Sequence, residues 1–224
     1  MESNHRAALQ KAYLFQDIGD EEYACLISCL SPQIKCFSKN ETLFFVGDLV
    51  EHIGIILSGT AFAYSEHIGG DRTIMSMLTP MKVFGEIIAS TSIKQSPVTI
   101  CAASNVTAAF IRYENVHSMC TAACMAHRVF IQNLLKVIGD KYFSLFERIN
   151  ILREKTLRLK IMAYLYSLRG GDERKTVTIP YTKTILADYL LANRSALSKE
   201  LRKMENDGLI TVNSRTIELL FIKR

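Results

Sequence analysis

Short apolar runs alternate with turn residues from about Lys35 to Ile111. Four segments in this region carry the β-branched and aromatic residues that favour strands, and Gly, Asp, Asn or Pro bound them. The segments are ETLFFVGD, HIGIILSGTAFAYSE, RTIMSMLTP and SPVTICAASNVTAAFI. The glycines of HIGGDR supply the positive φ angles that a hairpin turn needs. Many short strands at close spacing predict a β-roll or a β-sandwich.

The period of the pattern changes between about Glu114 and Arg153, where no proline interrupts the chain. Apolar residues recur there mostly every three or four positions, which predicts one long amphipathic helix. The residues of this seam are Phe130, Leu134, Val137, Tyr142, Leu145, Ile149 and Leu152. A narrow seam favours pairing with a second copy of the chain in a coiled coil. Packing of the helix on its own β domain is the alternative, and both can hold on different faces.

The last third of the chain predicts a small domain of helices and short strands. TLRLKIMAYLYSLRGG has a helical pattern that ends at two glycines, and TVTIP alternates like a strand that Pro180 closes. Two short helices follow in YTKTILADYLLANRSALSKELRKMENDGLI, joined by a tight link at Leu191-Ala192. Two β runs around Asn213-Ser214 would form a wing beside them.

The second of these two helices is the candidate for contact with DNA. Leu197, Leu201 and Met204 fall at i, i+4 and i+7, so they predict one buried face. The remaining surface offers an N-cap asparagine followed by short polar and basic residues, which suit the major groove. These candidate DNA-binding residues are Asn193, Arg194, Ser195, Ser198, Lys199 and Arg202. An ordinary helical hairpin with a solvated outer face is the alternative.

The distribution of charge agrees with a DNA-binding C-terminal third. The net charge of the 224 residues is +5. Residues 153–224 hold 15 Lys and Arg against 8 Asp and Glu, a balance of +7, whereas residues 1–152 hold 12 against 14. Only the C-terminal third is therefore predicted to bind a polyanion.

Composition and motifs exclude several other classes of protein. Hydrophobic residues make up 49% of the chain, which predicts a packed core, but no apolar run is long enough to cross a bilayer. The polar N-terminus lacks the hydrophobic region of a signal peptide, so we expect a cytoplasmic protein with no membrane partner. No phosphate-binding loop with a lysine, no GxSxG and no HExxH occurs, so we expect no enzyme and no catalytic residue.

The segment LADYLLANRSALSKELRKMENDGLI resembles the helix-turn-helix of the Crp/Fnr family of bacterial transcription regulators. The order of the predicted elements is similar to that family over nearly the whole chain, with FFVGD, GIILSGTAFAY and FGE as further landmarks. The resemblance implies an α+β protein with three parts. They are an N-terminal β-roll (double-stranded β-helix) sensor domain over 1–113, a long dimerisation helix over 114–152, and a C-terminal winged helix-turn-helix over 153–224.

The resemblance also implies how such a protein works. It implies a homodimer that reads a near-palindromic site in double-stranded DNA, with DNA binding controlled by an effector in the roll and RNA polymerase as a further partner. By match of position, Arg194, Ser195 and Lys199 occupy the base-contacting places of the recognition helix.

The family's effector pocket falls here on Phe84, Gly85, Glu86 and Ser96. A cyclic nucleotide needs a carboxylate for its ribose hydroxyl and an arginine for its phosphate. Glu86 fits the first requirement, but Ser96 stands where the family has the arginine, and nearby Lys94 lacks the planar fork of a guanidinium. We therefore expect an unknown small-molecule effector other than cyclic AMP and no cofactor. The alternative to ligand binding is a purely structural role for Glu86 within the roll.

The cysteines raise an alternative, an iron–sulfur or redox-sensing regulator using Cys25, Cys29 and Cys36, with Cys101 as the fourth ligand. Their spacing is looser than the Fnr pattern, and Cys101 is expected early in its strand. Cys25 and Cys29 fall in a predicted helix, EEYACLISCL, where we expect small buried residues, so no metal ligand is assigned. A module that binds a protein instead of DNA is a further alternative.

Overall fold

The computed structural model describes residues 3–66, 72–117, 125–169, 176–179, 182–214 and 216–220. The chain divides into two compact units, Met1–Lys141 and Tyr142–Arg224. Of the helices in these described stretches, none combines the length and the apolar character that crossing a membrane requires.

The first unit contains eight strands within its described residues. They are β1 (Gln33–Phe37), β2 (Thr42–Phe44), β3 (His52–Ser58), β4 (Ala61–Glu66), β5 (Arg72–Leu78), β6 (Val83–Phe84), β7 (Thr99–Ala102) and β8 (Val106–Arg112). They form two antiparallel sheets in the orders β1-β8-β3-β6 and β2-β7-β4-β5. This arrangement confirms the predicted β-roll.

Two details of the strands differ from the predicted pattern or extend beyond it. Two of the strand-rich segments each contain two strands that belong to different sheets, HIGIILSGTAFAYSE with β3 and β4 and SPVTICAASNVTAAFI with β7 and β8. The predicted hairpin joins β4 to β5, with Glu66 opposite Arg72. The glycines assigned to its turn, in residues 67–71, lie outside the described residues.

The helices of the first unit cover one face of the roll. They are α1 (Ser3–Gln10), α2 (Asp20–Leu30), α3 (Glu86–Ala89) and α4 (Tyr113–His117), with a 3₁₀ turn at Tyr13–Phe15. One core cluster joins α1, α2 and the long helix to β3 and β8, through residues such as Leu26, Ile53, Ile111 and Phe130. A second cluster lies inside the roll between the two sheets and includes Phe84 and Phe110. The sequence pattern had predicted α2 but not α1.

The long helix α5 runs from Met125 to Arg153. It confirms the predicted helix over that range, while residues 118–124 lie outside the described part of the chain. Phe130, Leu134 and Val137 pack into the core of the first unit. They therefore do not share a face with Tyr142, and the predicted seam is wrong at the five-residue step from Val137 to Tyr142.

A different set of residues makes a continuous stripe along α5. Its members alternate at spacings of four and three, the spacing of a coiled-coil seam. They are Ile131, Leu135, Ile138, Tyr142, Leu145, Ile149 and Leu152. We name this set the α5 stripe. Five of the seven side chains are exposed, while Ile138 and Leu152 are partly buried.

The second unit confirms the predicted helix-turn-helix and its wing. Its further elements are α6 (Leu157–Arg169), β9 (Thr176–Thr178), α7 (Lys183–Tyr189), α8 (Arg194–Asn206), β10 (Ile210–Asn213) and β11 (Thr216–Leu219). The three strands form an antiparallel sheet in the order β10-β11-β9. Leu165, Leu186, Leu197 and Ile217 share one buried core. Pro180 and the two glycines expected to end α6 lie outside the described residues.

Candidate functional site

The link between α7 and α8 is a tight turn. Leu190 is buried at the end of α7, whereas Leu191 has a positive φ of 52° and an exposed side chain. The backbone N–H of Ala192 then donates to the carbonyl of Ala187 (2.9 Å). A left-handed residue reverses the chain within a few positions, which lets both helices bury apolar faces in one core. The predicted link at Leu191-Ala192 is confirmed.

The helix α8 buries the side that the spacing predicted, because Leu197, Leu201 and Met204 all lie in the core. Asn193 occupies the N-cap position with extended backbone, but its side chain makes no capping hydrogen bond. Its amide is therefore not committed to the helix end.

The remaining surface of α8 is polar and basic. Arg194, Ser195, Lys199 and Arg202 are exposed, and Ser198 is partly buried. Across the described parts of the chain, none of the three cationic side chains forms an ion pair. They can bind an external anion without breaking an internal contact.

One arginine outside this surface fixes the position of α8. Arg158, on α6, donates from Nε to Glu200 Oε1 and from Nη1 to Asp207 Oδ2, each at 2.6 Å. The hydrogen bond to Glu200, followed by the one to Asp207, raises the pKa of Arg158 above its usual value. The fork connects α6 to the middle of α8 and to its C-cap residue. The sequence pattern does not indicate Arg158, because its partners lie more than 40 positions away and no local pattern signals such a pair.

In the first unit, Phe84 and Gly85 are built into the roll. The ring of Phe84 lies against Phe110, with centroids 5.7 Å apart. Gly85 has a φ of 78°, and a Cβ added there would lie 2.7 Å from the carbonyl oxygen of His52 and 3.3 Å from Val50 Cγ1. Any other residue would have a strained backbone and a Cβ that clashes with the carbonyl oxygen of His52, so glycine is required at this position.

Glu86 follows as the first residue of α3, and its side chain is only 1% exposed. Its Oε1 accepts a hydrogen bond from Lys141 Nζ (2.6 Å), and the same ammonium donates to the carbonyl of Val83 (2.7 Å). Glu86 Oε2 is buried and receives no hydrogen bond from the described residues. The sequence did not indicate Lys141, because a lysine on an amphipathic helix is usually solvated.

Ser96 is buried, with 2% of its surface exposed, but its polar groups are engaged locally. Its hydroxyl donates to the carbonyl of Val98 (2.6 Å), and its backbone exchanges hydrogen bonds with Gly47 and Asp48. Ser96 therefore closes a turn against the loop after β2, and the described contacts include no bond between it and Glu86.

A cavity of about 280 Å³ is lined by Val50 and His52, which lie beside Gly85, but none of the four predicted effector-pocket residues lines it. Phe44 and Phe110 contribute aromatic surface to it, and Lys35 lies over the ring of Phe110. Burial, then the charges of Lys35 and Arg112, lower the pKa of His52 from its usual value. The environment of His52 therefore disfavours an additional positive charge.

The structure corrects two expectations about the cysteines. Cys25 is exposed and Cys29 is partly exposed, because Tyr23, Leu26 and Leu30 take the core-facing positions of α2. Cys101 is the third of the four residues of β7, not early in its strand. No group of three or more His, Cys, Asp or Glu side chains within the described ranges could hold a metal ion. Cys120 and Cys124 fall outside those ranges.

Comparison with known proteins agrees with this architecture. Residues 34–123 match the model of the cyclic nucleotide-binding domain, and residues 159–224 match that of the Crp-like helix-turn-helix domain. The chain is 19% identical over 206 residues to the cyclic AMP receptor protein of Thermus thermophilus, covering 92% of this chain and 91% of that protein.

Solved structures show the same fold at low identity. A CooA mutant from Carboxydothermus hydrogenoformans is similar with a TM-score of 0.66 and 18% identity, covering 87% of this chain and 86% of that one. The c-di-GMP responsive global regulator CLP of Xanthomonas campestris gives a TM-score of 0.63 at 16% identity, covering 89% of this chain and all of that one (100%).

A roll of the cyclic nucleotide-binding type and a winged helix-turn-helix in one chain define a class of transcription regulators. Both domain models match in the order in which that class has them. The chain belongs to the Crp/Fnr family of transcription regulators.

Proposed function

We propose that this protein is a dimeric regulator that binds near-palindromic duplex DNA through α8 and responds to an effector in the β-roll. The observation that carries the proposal is the exposed basic surface of α8, held in a Crp-like helix-turn-helix. A protruding helix with a buried apolar side and an exposed basic side suits the major groove. A role in regulation requires no catalytic residue, and we propose none.

The candidate residues divide into two chemical roles. Arg194 can recognise guanine with two hydrogen bonds, and Ser195, Ser198 and Asn193 can bond base edges or phosphates without filling the groove. Lys199 and Arg202 carry charge on the exposed side of α8, where they can neutralise phosphates.

The α5 stripe supports pairing of two copies of the chain. Its side chains have coiled-coil spacing, and Leu135, Tyr142, Leu145 and Ile149 expose large apolar surfaces. A second α5 would remove these surfaces from water. The three-part division into residues 1–113, 114–152 and 153–224 belongs to this proposal. We also propose RNA polymerase as a further partner and the cytoplasm as the location of the protein.

For the effector, we propose a small molecule other than cyclic AMP. The Ser96 hydroxyl is engaged by Val98, and a serine cannot replace an arginine fork on a phosphate. Glu86 already has a cationic partner in Lys141. Cyclic AMP and c-di-GMP are the ligands named for two relatives, and neither ligand is transferred to this chain.

The other hypotheses receive less support from the described residues. The exposed Cys25 and Cys36 lie on different elements, α2 and β1, and no metal-binding cluster joins them there. A protein-binding module remains the contrasting hypothesis for the helix-turn-helix, and one experiment separates it from DNA binding.

That experiment measures affinity for duplex DNA as a function of salt. Binding through phosphates releases counterions, so the logarithm of the affinity falls linearly with the logarithm of the salt concentration. We expect a steep negative slope for the unaltered protein. Lys199→Ala and Arg202→Ala should each flatten the slope by about 2, because each substitution removes one phosphate contact from both subunits of the dimer.

Lys82→Ala is the matched control, because Lys82 is exposed in the first unit, far along the chain from α8. It removes the same charge and should leave the slope unchanged. An affinity that is indifferent to salt and to both α8 substitutions would contradict DNA binding and favour the protein-binding module.

A further inference from the structure

The carboxylate of Glu86 is the most completely buried charged group in the described first unit. A buried carboxylate is costly unless a cation and hydrogen bonds compensate it. Lys141 Nζ is 2.6 Å from Oε1, and the other oxygen has no donor among the described residues. The charge of Glu86 is therefore compensated through a single contact, and that contact comes from α5.

Lys141 lies where α5 leaves the first compact unit, so its contact with Glu86 also restrains α5. Lys141 is the last residue of the first compact unit, and α5 continues from it into the second. Its ammonium also bonds the carbonyl of Val83, directly before the Phe84-Gly85-Glu86 segment. Two hydrogen bonds from one side chain thus hold α5 against Val83 and Glu86 within the first unit.

We propose that Lys141 is a positioning residue: it is the built-in counterion of Glu86, and it holds α5 on the roll in the arrangement that binds DNA. The inference rests on the proposed function, because its readout is DNA affinity. A restraint on α5 reduces the number of arrangements open to the chain, so the binding-competent fraction rises and the apparent affinity rises with it.

The proposal predicts the effect of Lys141→Met, which keeps the length of the side chain and removes its charge. Binding of the full-length protein to duplex DNA at fixed salt should weaken by about 5- to 30-fold, the lower part of the usual range for coupling between sites. The slope of affinity against salt should not change, because Lys141 is not a phosphate contact. A loss with an unchanged slope separates positioning from direct contact.

Two further variants separate positioning from a general loss of stability. Glu86→Gln removes the same charge pair, and Glu86→Gln combined with Lys141→Met should bind no more weakly than Lys141→Met alone, because the two residues act as one unit. Val106→Ala truncates a buried residue of the core cluster between the two sheets, to which neither Glu86 nor Lys141 belongs. It should lower the melting temperature without changing DNA affinity.

The outcomes are distinct. DNA affinity of Lys141→Met equal to or tighter than that of the unaltered protein would overturn the inference, provided that Lys199→Ala still flattens the salt slope. A weakened affinity in Val106→Ala of the same size would also overturn it. If Lys141→Met does not fold, the same comparison is made with Glu86→Gln, for which unchanged affinity overturns the inference. Loss of the salt slope in the unaltered protein would instead contradict the proposed function.

Discussion

The hydroxyl of Ser96 is committed to its own turn, since it donates to the carbonyl of Val98. The sequence predicted that serine replaces the family's arginine here, but not how the hydroxyl is used. A cyclic phosphate bound at Ser96 would compete with the carbonyl of Val98 for the hydroxyl and would still lack a fork of two donors. At the scale of single residues, this is the strongest argument against cyclic AMP.

We therefore predict that cyclic AMP does not raise the melting temperature of the protein. A receptor with a micromolar Kd would gain about 4.1 kcal/mol of stability at a thousandfold excess of ligand over Kd. Scanning calorimetry with and without millimolar cyclic AMP makes the comparison, with cyclic GMP as a second nucleotide. A clear, concentration-dependent rise in the melting temperature with cyclic AMP would contradict the argument from Ser96.

At the scale of single residues, the sequence could not predict which polar side chains pair with one another. A structural role was one of the two roles expected for Glu86, but its partner Lys141 lies 55 positions further on. Local periodicity describes which side of a helix is apolar, not which polar residue meets a distant carboxylate. Cys25 shows the converse, since a small thiol in an amphipathic helix carries too little pattern to fix its side.

Among the elements, α8 depends on its support by α6. Arg158 bonds both Glu200, on α8, and Asp207, its C-cap residue, which lie seven residues, or about two turns, apart. It therefore constrains both the rotation and the axial position of the helix.

We expect Arg158→Met to weaken DNA binding several-fold and to lower the melting temperature, because Glu200 and Asp207 lose their shared partner. The salt slope should stay unchanged, since Arg158 is paired internally and is not a phosphate contact. Lys160→Met is the matched control: it removes one positive charge from the same helix, and Lys160 forms no ion pair within the residues described. Equal effects of the two substitutions would refute a positioning role for Arg158.

The long helix shows why an element can be predicted while its faces are not. A period of three or four residues identifies α5 as a helix, but two apolar faces follow the same period. Phe130, Leu134 and Val137 pack on the core of the first unit, while the α5 stripe lies beside them and meets that core only at Ile138 among the residues described. From the sequence alone, residues of both faces can be joined into one apparent seam. The five-residue step from Val137 to Tyr142 is the local sign that the seam passes from one face to the other.

The α5 stripe makes a prediction about assembly. Leu145→Asp places a charge in the middle of the stripe, where pairing would desolvate it, so we expect the dimer Kd to rise by at least about 100-fold. Analytical ultracentrifugation over a range of concentrations measures this change. Ser144→Asp adds the same charge at the neighbouring exposed position and should leave the dimer intact. Dimers of equal strength in both variants would show that this stripe is not the interface.

For the whole molecule, the sequence predicted the class of architecture well. Strand-rich segments, a long helix and a basic helix-turn-helix follow one another along the chain, and each has its own period and composition. The two core clusters of the roll and the three-stranded sheet of the second unit confirm that order. The identity of the proposed effector could not be predicted, because recognition of a small molecule depends on the shape and charge of a pocket built from residues distant in sequence.

The central claim is that two copies of α8 read two halves of one site in duplex DNA. The most direct measurement is to incubate the full-length protein with a pool of random duplexes, recover the bound fraction and sequence it. The account predicts an enriched inverted repeat whose half-site centres lie about one helical turn, roughly 10 base pairs, apart. Enrichment of single, non-repeated sequences, or no enrichment from a pool that the protein binds, would contradict it.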